Sequence, residues 1–307
     1  MNAGDSSLTA KRDALLAWFG DLAPPAPAAN GPLACAVAYS GGVDSAVVAH
    51  AAHMALGAQA IAVTGASASL ASGELEAATE LARRIGIRHL VLQTGEFATA
   101  EYVRNAPDRC YHCKTELYTQ LERWAAGFAA EEAVRERVAG ASGSSLVFVN
   151  GANCDDLGDY RPGLQAAREH QVRSPLVECG FRKADVRALA AHWGLPVWDK
   201  PASPCLSSRV AYGEEVTPER LARIDQAERF LRDEGFAVAR VRYHRGDHAR
   251  VEVEPEAIVR LAAPAFRTRL TARLRELGFR FISVDLDGFR SGSLNSLVQL
   301  EVEAPPK

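Results

Sequence analysis

The six residues from Ser40 to Ser45 (Ser-Gly-Gly-Val-Asp-Ser) combine residue types that bind phosphate. Gly41 and Gly42 let the backbone approach an anion and present its N–H groups, and the two serine hydroxyls can donate hydrogen bonds. Asp44 would repel a phosphate unless a divalent cation or the hydrogen bonding of the loop offsets its charge. The spacing matches neither a Walker A loop nor the three-glycine Rossmann fingerprint.

A second polar string, Asn150-Gly-Ala-Asn-Cys-Asp-Asp156, follows the predicted strand 146–150. In parallel α/β sheets, ligands bind at the edge where the strands end. Asp155 and Asp156 there suit Mg²⁺ or the ordering of a loop beside a triphosphate. A solvated acidic turn is the alternative.

Two of the six cysteines are three residues apart, Cys110 and Cys113, just before the predicted helix 117–128. Such a pair can face one metal or one partner. A zinc site would require further ligands, commonly a second Cys-x-x-Cys pair, and none is present. A thioredoxin-type disulfide and a chance pair of inert thiols stay open as alternatives.

Cys205 stands in a loop stiffened by proline, Lys200-Pro-Ala-Ser-Pro-Cys-Leu-Ser-Ser-Arg209. The cations of Lys200 and Arg209 would favour the thiolate, which is the nucleophilic form of cysteine. We therefore interpret Cys205 as a functional thiol. The remaining cysteines, Cys35, Cys154 and Cys179, are interpreted as buried or incidental.

Apolar runs alternate with helical patterns through the first two thirds of the chain. The predicted strands are 33–39, 58–64, 89–92 and 146–150, and the predicted helices are 8–22, 46–56, 73–85, 117–128 and 183–193. This order predicts an α/β fold with a doubly wound parallel sheet over residues 1–217.

The pattern changes after about Pro218. Three helices (219–234, 255–261 and 266–277) are interspersed with three alternating strands (237–243, 249–253 and 281–285). The pattern predicts a smaller α+β C-terminal domain over residues 218–307.

The composition favours a globular protein with a buried core over a membrane protein or a general nucleic-acid binder. The chain has 307 residues, 48% of them hydrophobic, which is enough for a substantial core, and its formal charge of −3 does not favour a general nucleic-acid binder. No apolar run is long enough to span a bilayer, and the N-terminus does not have the pattern of a secretory signal. We expect a cytoplasmic protein without a disulfide framework.

The phosphate string resembles the PP-loop of the ATP pyrophosphatases, which are adenine nucleotide alpha hydrolase-like proteins that cleave ATP between its α and β phosphates. Over nearly its whole length the chain resembles the LarE sulfur transferases of nickel-pincer cofactor biosynthesis. The segments that carry this resemblance are Ser40–Ser45, Cys110–Lys114, Asn150–Gly163, Lys200–Arg209 followed by Tyr212 and Gly213, and Asp287–Asn295.

This resemblance implies that the protein uses ATP and Mg²⁺ to adenylate the carboxylates of a pyridinium biscarboxylic acid mononucleotide and converts them to thiocarboxylates. Adenylation creates a leaving group, so that a sulfur nucleophile can attack the carbonyl. By position, Cys205 matches the sulfur-bearing cysteine of the family. Two family mechanisms are possible: sacrificial loss of sulfur from Cys205, or sulfide delivery by a [4Fe–4S] cluster on Cys110, Cys113 and Cys205. The presence of the Cys110 and Cys113 pair favours the cluster.

Arginines are candidate ligands for the substrate phosphate, because a guanidinium suits bidentate phosphate contact. The candidates are Arg209, Arg240, Arg242 and Arg290.

The resemblance further implies a homo-hexamer, a small-molecule substrate, contact with the preceding and following enzymes of the pathway, and no membrane or nucleic-acid partner. The rival hypotheses are a PP-loop tRNA thiolase, an ammonia-dependent synthetase and a nucleotide- or cluster-sensing module without turnover.

Overall fold

The structure is a computed structural model that describes residues 3–23, 33–139, 146–158 and 161–290. The chain groups into two compact units. The first contains residues 1–67, 73–95 and 110–203, and the second contains 68–72, 96–109 and 204–307. The division of the chain between residues 217 and 218 stays a prediction. The proline- and alanine-rich stretch 24–32 and the glycine- and serine-rich stretch 140–145 lie outside the described residues.

Seven strands lie in the described part of the chain: β1 (Cys35–Ala38), β2 (Ala60–Ala66), β3 (Arg88–Gln93), β4 (Val147–Val149), β5 (Ala239–His244), β6 (His248–Val253) and β7 (Phe281–Val284). The α-helices there are α1 (Ala3–Gly20), α2 (Val43–Leu56), α3 (Glu74–Ile85), α4 (Ala100–Val103), α5 (Arg109–Ala139), α6 (Pro162–Glu169), α7 (Pro175–Glu178), α8 (Lys183–His192), α9 (Pro218–Asp233), α10 (Ile258–Ala262) and α11 (Pro264–Glu276). Within these ranges no helix has both the length and the apolar character needed to cross a membrane.

The sheet of the first unit has the strand order β3-β2-β1-β4, and every pairing is parallel. Strand β1 is therefore central, with β2 on one side and β4 on the other. From β1 the chain first adds β2 and β3 on one side and then β4 on the other, so the switch point of the sheet lies between β1 and β4. Ligands bind at such a switch point in doubly wound sheets. The predicted α/β fold is confirmed.

Two hydrophobic cores cover the two faces of this sheet, because neighbouring residues of a strand point to opposite faces. Cys35 and Val37 of β1 pack in one core with α1, α2 and α8, in which Leu15 and Phe19 are fully buried. Ala36 packs in the other core with residues of α5 and α6. Most helices thus serve to cover the sheet.

Helix α5 begins at Arg109, eight residues before the predicted start of 117. Cys110 and Cys113 therefore lie in its first two turns, and the expectation that they precede the helix is wrong. Cysteine, tyrosine and histidine have low helix propensity, so the sequence Cys-Tyr-His-Cys does not by itself predict the start of a helix.

The second unit places α9 beside a mixed sheet, in which β5 pairs antiparallel with β6 and β6 pairs parallel with β7. The predicted α+β character of this region is confirmed. An ion pair buried in it joins Arg209 to Glu228 of α9, with Nε and Oε1 3.1 Å apart and side chains only 2% and 1% exposed.

Replacing Glu228 by glutamine should lower the free energy of unfolding by about 3–5 kcal/mol, because the buried guanidinium of Arg209 loses its counter-charge. Urea titration of the full chain measures this change. The control is Asp233→Asn in the same helix, where the pair with Arg229 is 71% and 68% exposed and should contribute less than about 1 kcal/mol. Equal effects of the two substitutions would contradict the prediction.

Candidate active site

The phosphate string forms the connection from β1 to α2. Its Gly41 has a φ of 72°, which favours glycine. A Cβ atom on Gly41 would lie 2.9 Å from the Cβ of Ala78 in α3, so the loop runs directly against that helix. Both the backbone conformation and the close approach therefore require glycine at this position.

The two serine hydroxyls of the string hold the loop closed. Ser45 Oγ accepts a hydrogen bond from the backbone N–H of Ser40 at 3.2 Å and donates to the carbonyl of Gly42 at 3.1 Å. Ser40 Oγ lies 3.2 Å from Ser45 Oγ. The first N–H groups of α2 have no carbonyl partner within the helix, so this turn presents donors and partial positive charge to an anion.

The second polar string contacts the start of the same helix. A Cβ atom on Gly151 would lie 2.8 Å from the backbone nitrogen of Ser45 and 3.0 Å from the carbonyl carbon of Asp44. Because β4 pairs with β1, with Cys35 opposite Val147, the loops that follow these strands emerge at one sheet edge. The structure thus brings the two predicted strings together.

Asn153 joins the two strings through a side-chain hydrogen bond. Its Nδ2 donates to Asp44 Oδ1 at 3.0 Å, and the residue is fully buried. Burial raises the pKa of Asp44 above its ordinary value, and the charge of Asp156 adds to the rise, while the bond from Asn153 and the charge of Lys183 oppose it. Asp44 is therefore a desolvated carboxylate that a cation would stabilise.

Asp155 and Asp156 order their own loop. Asp156 Oδ1 lies 2.9 Å from Arg161 Nη2 and 3.3 Å from Lys183 Nζ. Asp155 Oδ2 accepts the backbone N–H of Lys183, at the start of α8, at 2.8 Å. These contacts support loop ordering, which is one of the two roles predicted for the pair; the contact with Mg²⁺ stays a prediction.

The cysteine pair lies on the first turns of α5, with Cys110 exposed and Cys113 partly exposed. Helix α6 packs closely against this segment: a Cβ atom on Gly163 would lie 3.1 Å from Lys114 Cγ and 3.6 Å from the carbonyl oxygen of Cys110. Gly163 belongs to the family segment 150–163, of which residues 159 and 160 lie outside the described ranges. Its lack of a side chain lets the two helices meet at the cysteines.

Cys205 is exposed and directly precedes a short 3₁₀ turn, Leu206–Arg209. Arg209 Nη1 donates to the carbonyls of Pro204 and Cys205, the latter at 3.0 Å. Arg209 is 2% exposed and also pairs with Glu228, so its contacts fix the backbone of the cysteine loop. The predicted substrate contact of Arg209 stays a prediction.

Lys200, the other cation expected to favour the thiolate of Cys205, is engaged by a carboxylate. Its Nζ lies 2.7 Å from Oε2 of Glu74, the first residue of α3. The charge of Lys200 is thus largely compensated within the first unit.

Arg240 and Arg242 alternate on β5, as predicted, but they differ in their contacts. Arg242 is buried, lies 2.8 Å from Glu252 Oε2 and donates to the carbonyl of Ser208 at 3.1 Å. Arg240 is partly buried, and its Cζ lies 5.2 Å from the ring centre of Phe289. In the described part of the chain Arg240 has no ion pair with a carboxylate, and burial followed by the nearby charge of Arg209 lowers its pKa.

Arg290 is 55% exposed and lies 3.0 Å from Asp287 Oδ2. The segment that carries it is anchored at Gly288, where φ is 69° and a Cβ atom would lie 2.7 Å from the carbonyl oxygen of Val253. The remainder of this family segment, 291–295, lies outside the described residues.

Among the described residues, no group of three or more His, Cys, Asp or Glu side chains is arranged to hold a metal ion. Cys110 and Cys113 belong to the first unit and Cys205 to the second. Ligation of one cluster by these three residues therefore stays a prediction.

Comparison with known proteins identifies the family. A family model described as asparagine synthase matches residues 30–139. An uncharacterised protein of Synechocystis sp. is 44% identical over 262 residues, which cover 85% of this chain and 92% of that protein. The pyridinium-3,5-bisthiocarboxylic acid mononucleotide synthase of Lactiplantibacillus plantarum is 38% identical over 261 residues, which cover 84% of this chain and 88% of the synthase. The chain belongs to the LarE family.

This LarE-family chain is an adenylating sulfur transferase built on a PP-loop ATP pyrophosphatase fold, as the sequence predicted. A more distant similarity, 32% identity over 192 residues, is to the tRNA-specific 2-thiouridylase MnmA of Xanthobacter autotrophicus and covers 54% of this chain and 49% of that enzyme.

Replacing Gly151 by alanine should slow ATP-dependent pyrophosphate release about 10- to 100-fold, because the added Cβ pushes the Asn150–Asp156 loop away from the start of α2. A coupled pyrophosphate assay measures this rate. Gly127→Ala in α5 is the control, since nothing lies within 4 Å of its added Cβ. Wild-type turnover by the Gly151 variant would show that the close approach of the two strings is dispensable.

Proposed function

We propose that this LarE-family enzyme adenylates the carboxylates of pyridinium-3,5-biscarboxylic acid mononucleotide and converts them to thiocarboxylates. The observation that carries this proposal is the phosphate loop of Ser40–Ser45, closed against the Asn150–Asp156 string at the switch point of the sheet. The name of the Lactiplantibacillus relative, which states a bisthiocarboxylic acid mononucleotide as product, supports the choice of substrate.

The first step follows from the donors of the phosphate loop. The backbone N–H groups at the start of α2 would hold the β and γ phosphates of ATP and stabilise the charge of the leaving pyrophosphate. A substrate carboxylate oxygen attacks the α phosphorus, and the bond to the β-phosphate oxygen breaks. Asp44 would hold Mg²⁺, which fits a partly buried carboxylate with a raised pKa, and the ion would neutralise phosphate charge.

The second step requires a sulfur nucleophile at the acyl carbon, with AMP as leaving group. Cys110, Cys113 and Cys205 would hold a [4Fe–4S] cluster, and a cluster with three thiolate ligands has one iron open for an added sulfide. Their chemistry fits, since all three are thiols with solvent access. Direct attack by Cys205 with loss of its own sulfur is the second candidate, which the exposure of Cys205 also suits.

The substrate phosphate would bind at Arg240 and Arg290. Arg240 lacks an ion pair with the described carboxylates, and Arg290 is exposed. Arg209 and Arg242 would contribute less to phosphate binding, because Glu228 and Glu252 already pair with them. Assembly as a homo-hexamer and transfer of intermediates to pathway enzymes are further parts of the proposal.

The two sulfur mechanisms differ in what anaerobic purification should show. With the cluster, the wild-type protein is brown, and Cys110→Ser, Cys113→Ser and Cys205→Ser each remove the visible absorption and the thiocarboxylate product. Pyrophosphate release that depends on the carboxylate substrate should stay close to the wild-type rate in the Cys110 and Cys113 variants. Cys179→Ser serves as the control, because this thiol lies outside the proposed set.

Intact mass after turnover separates the alternatives. A colourless protein that loses the elements of hydrogen sulfide at Cys205 would replace the cluster by sacrificial donation. Salt-sensitive retention of bulk tRNA on a filter would instead favour a tRNA thiolase. Pyrophosphate release without any dependence on the carboxylate substrate would contradict the proposal as a whole.

A further inference from the structure

The residues that follow Cys205 are anchored to two segments that lie far away in sequence. Residues 68–72 and 96–109 belong to the second unit, together with residues 204–307. The backbone N–H of Leu206 donates to the carbonyl of Ser69 at 2.8 Å. Leu206 and Ser207 are buried, whereas Cys205 itself is exposed. The two residues after the thiol are thus held inside this unit while the thiol stays accessible.

Three buried hydroxyls contact one another next to this anchor. The hydroxyl oxygen of Tyr102 lies 2.6 Å from Ser69 Oγ and 2.6 Å from Ser207 Oγ. Ser207 Oγ lies 3.1 Å from Ser69 Oγ. Ser69 Oγ also donates to Glu96 Oε1 at 3.2 Å. All four side chains are buried, so the network is shielded from bulk water.

The number of protons fixes the direction of these hydrogen bonds. Each hydroxyl has one proton to donate, and an ionised carboxylate only accepts. Because Ser69 donates to Glu96, Tyr102 is the donor in its 2.6 Å bond to Ser69. Tyr102 in turn accepts the proton of Ser207. The hydroxyls of residues 207, 102 and 69 therefore form one head-to-tail chain that ends on Glu96, and the bonds of such a chain strengthen one another.

Tyr102 occupies the central place in this chain, because its hydroxyl joins Ser207 to Ser69. Without that hydroxyl, the Ser207 side chain would keep only the longer contact with Ser69 inside the network, and its path to Glu96 through Tyr102 would be lost. The ring of Tyr102 packs edge-on against Phe97, with ring centres 5.2 Å apart. Phenylalanine at position 102 would therefore keep the packing and remove the hydrogen bonds alone.

We infer that Tyr102 is a positioning residue for the Cys205 thiol, which acts by fixing residues 206 and 207. This role rests on the proposed function, in which sulfur reaches the acyl adenylate by way of Cys205. A thiol held in one arrangement lets sulfur react with the activated carbonyl before water does. Water would otherwise hydrolyse the adenylate to the carboxylate and AMP. The network thus controls how much thiocarboxylate forms for each pyrophosphate released.

The test compares Tyr102→Phe with the control Tyr118→Phe, whose tyrosine is similarly buried but belongs to the first unit. Thiocarboxylate and pyrophosphate are both measured in a single turnover of each anaerobically purified full-length protein with ATP and the biscarboxylic acid mononucleotide. Tyr102→Phe should form about 10-fold less thiocarboxylate per pyrophosphate than wild type, with pyrophosphate release retained. Tyr118→Phe should keep the wild-type ratio. A variant that is merely less stable lowers both products by the same factor and leaves the ratio unchanged.

Ser69→Ala removes the next hydroxyl of the chain but keeps the carbonyl that binds Leu206, so it should lower the same ratio. This variant decides if Tyr102→Phe does not fold. The two substitutions together should lower the ratio no further than the more affected single variant, because both break one chain. A wild-type ratio in folded Tyr102→Phe and Ser69→Ala proteins would overturn the inference and leave the proposed function intact. A wild-type protein that forms no thiocarboxylate would overturn the proposed function and the role of Tyr102 with it.

Discussion

The pairing of β4 with β1 is the interaction on which the nucleotide site depends. These two strands are far apart in sequence, and their parallel register, Cys35 opposite Val147, delivers two loops to one edge of the sheet. Gly151 then lies against the backbone of Ser45, and Asn153 reaches Asp44. Without this pairing the phosphate loop would be an ordinary strand-to-helix turn, and Asp44 would lack the hydrogen bond from Asn153.

The electrostatics of the phosphate loop in the first unit and of the Cys205 loop in the second are built differently. At the phosphate loop the positive charge comes from backbone N–H groups and the helix dipole, and Asp44 is a partly buried carboxylate whose pKa is raised by desolvation. At the cysteine loop the charge comes from guanidiniums whose donors are used on backbone carbonyls and on Glu228 and Glu252. The first arrangement suits a polyanion with a cation, and the second fixes a backbone and leaves a thiol exposed.

Local sequence signals were sufficient for most of the architecture. The four strands of the first sheet were each recognisable as short apolar runs, and the glycines of the phosphate loop identified the helix N-terminus that they precede. The start of α5 was missed because its first residues have low helix propensity, and packing against α6 at Gly163 stabilises that turn. The helix propensity of residues 109–116 cannot predict that α6, about fifty residues later in the chain, packs against them.

The roles of individual charged residues were the least predictable part of the site. Arg209 and Lys200 were both interpreted from their closeness in sequence to Cys205, yet each is engaged by a carboxylate distant in sequence, Glu228 and Glu74. The contacts of Arg109 with the Ser207 carbonyl and of Asn153 with Asp44 could not be predicted, because neither residue type is distinctive without knowledge of which loops meet. Side-chain partners of this kind follow from the strand order and from the docking of segment 96–109, which no local pattern encodes.

The arginines around Cys205 fix the backbone conformation of the loop that carries this thiol. Free backbone carbonyls in an irregular loop would be satisfied by water and would allow the loop several conformations. Here guanidiniums bind the carbonyls of Pro204, Cys205, Ser207 and Ser208, so that the backbone of the loop is fixed at four of its five positions from 204 to 208. Because the acceptors in the loop are main-chain carbonyls, the Cys205 side chain stays accessible for chemistry, whether as a ligand or as a nucleophile. The arginines can therefore fix the backbone of this short segment without covering its thiol.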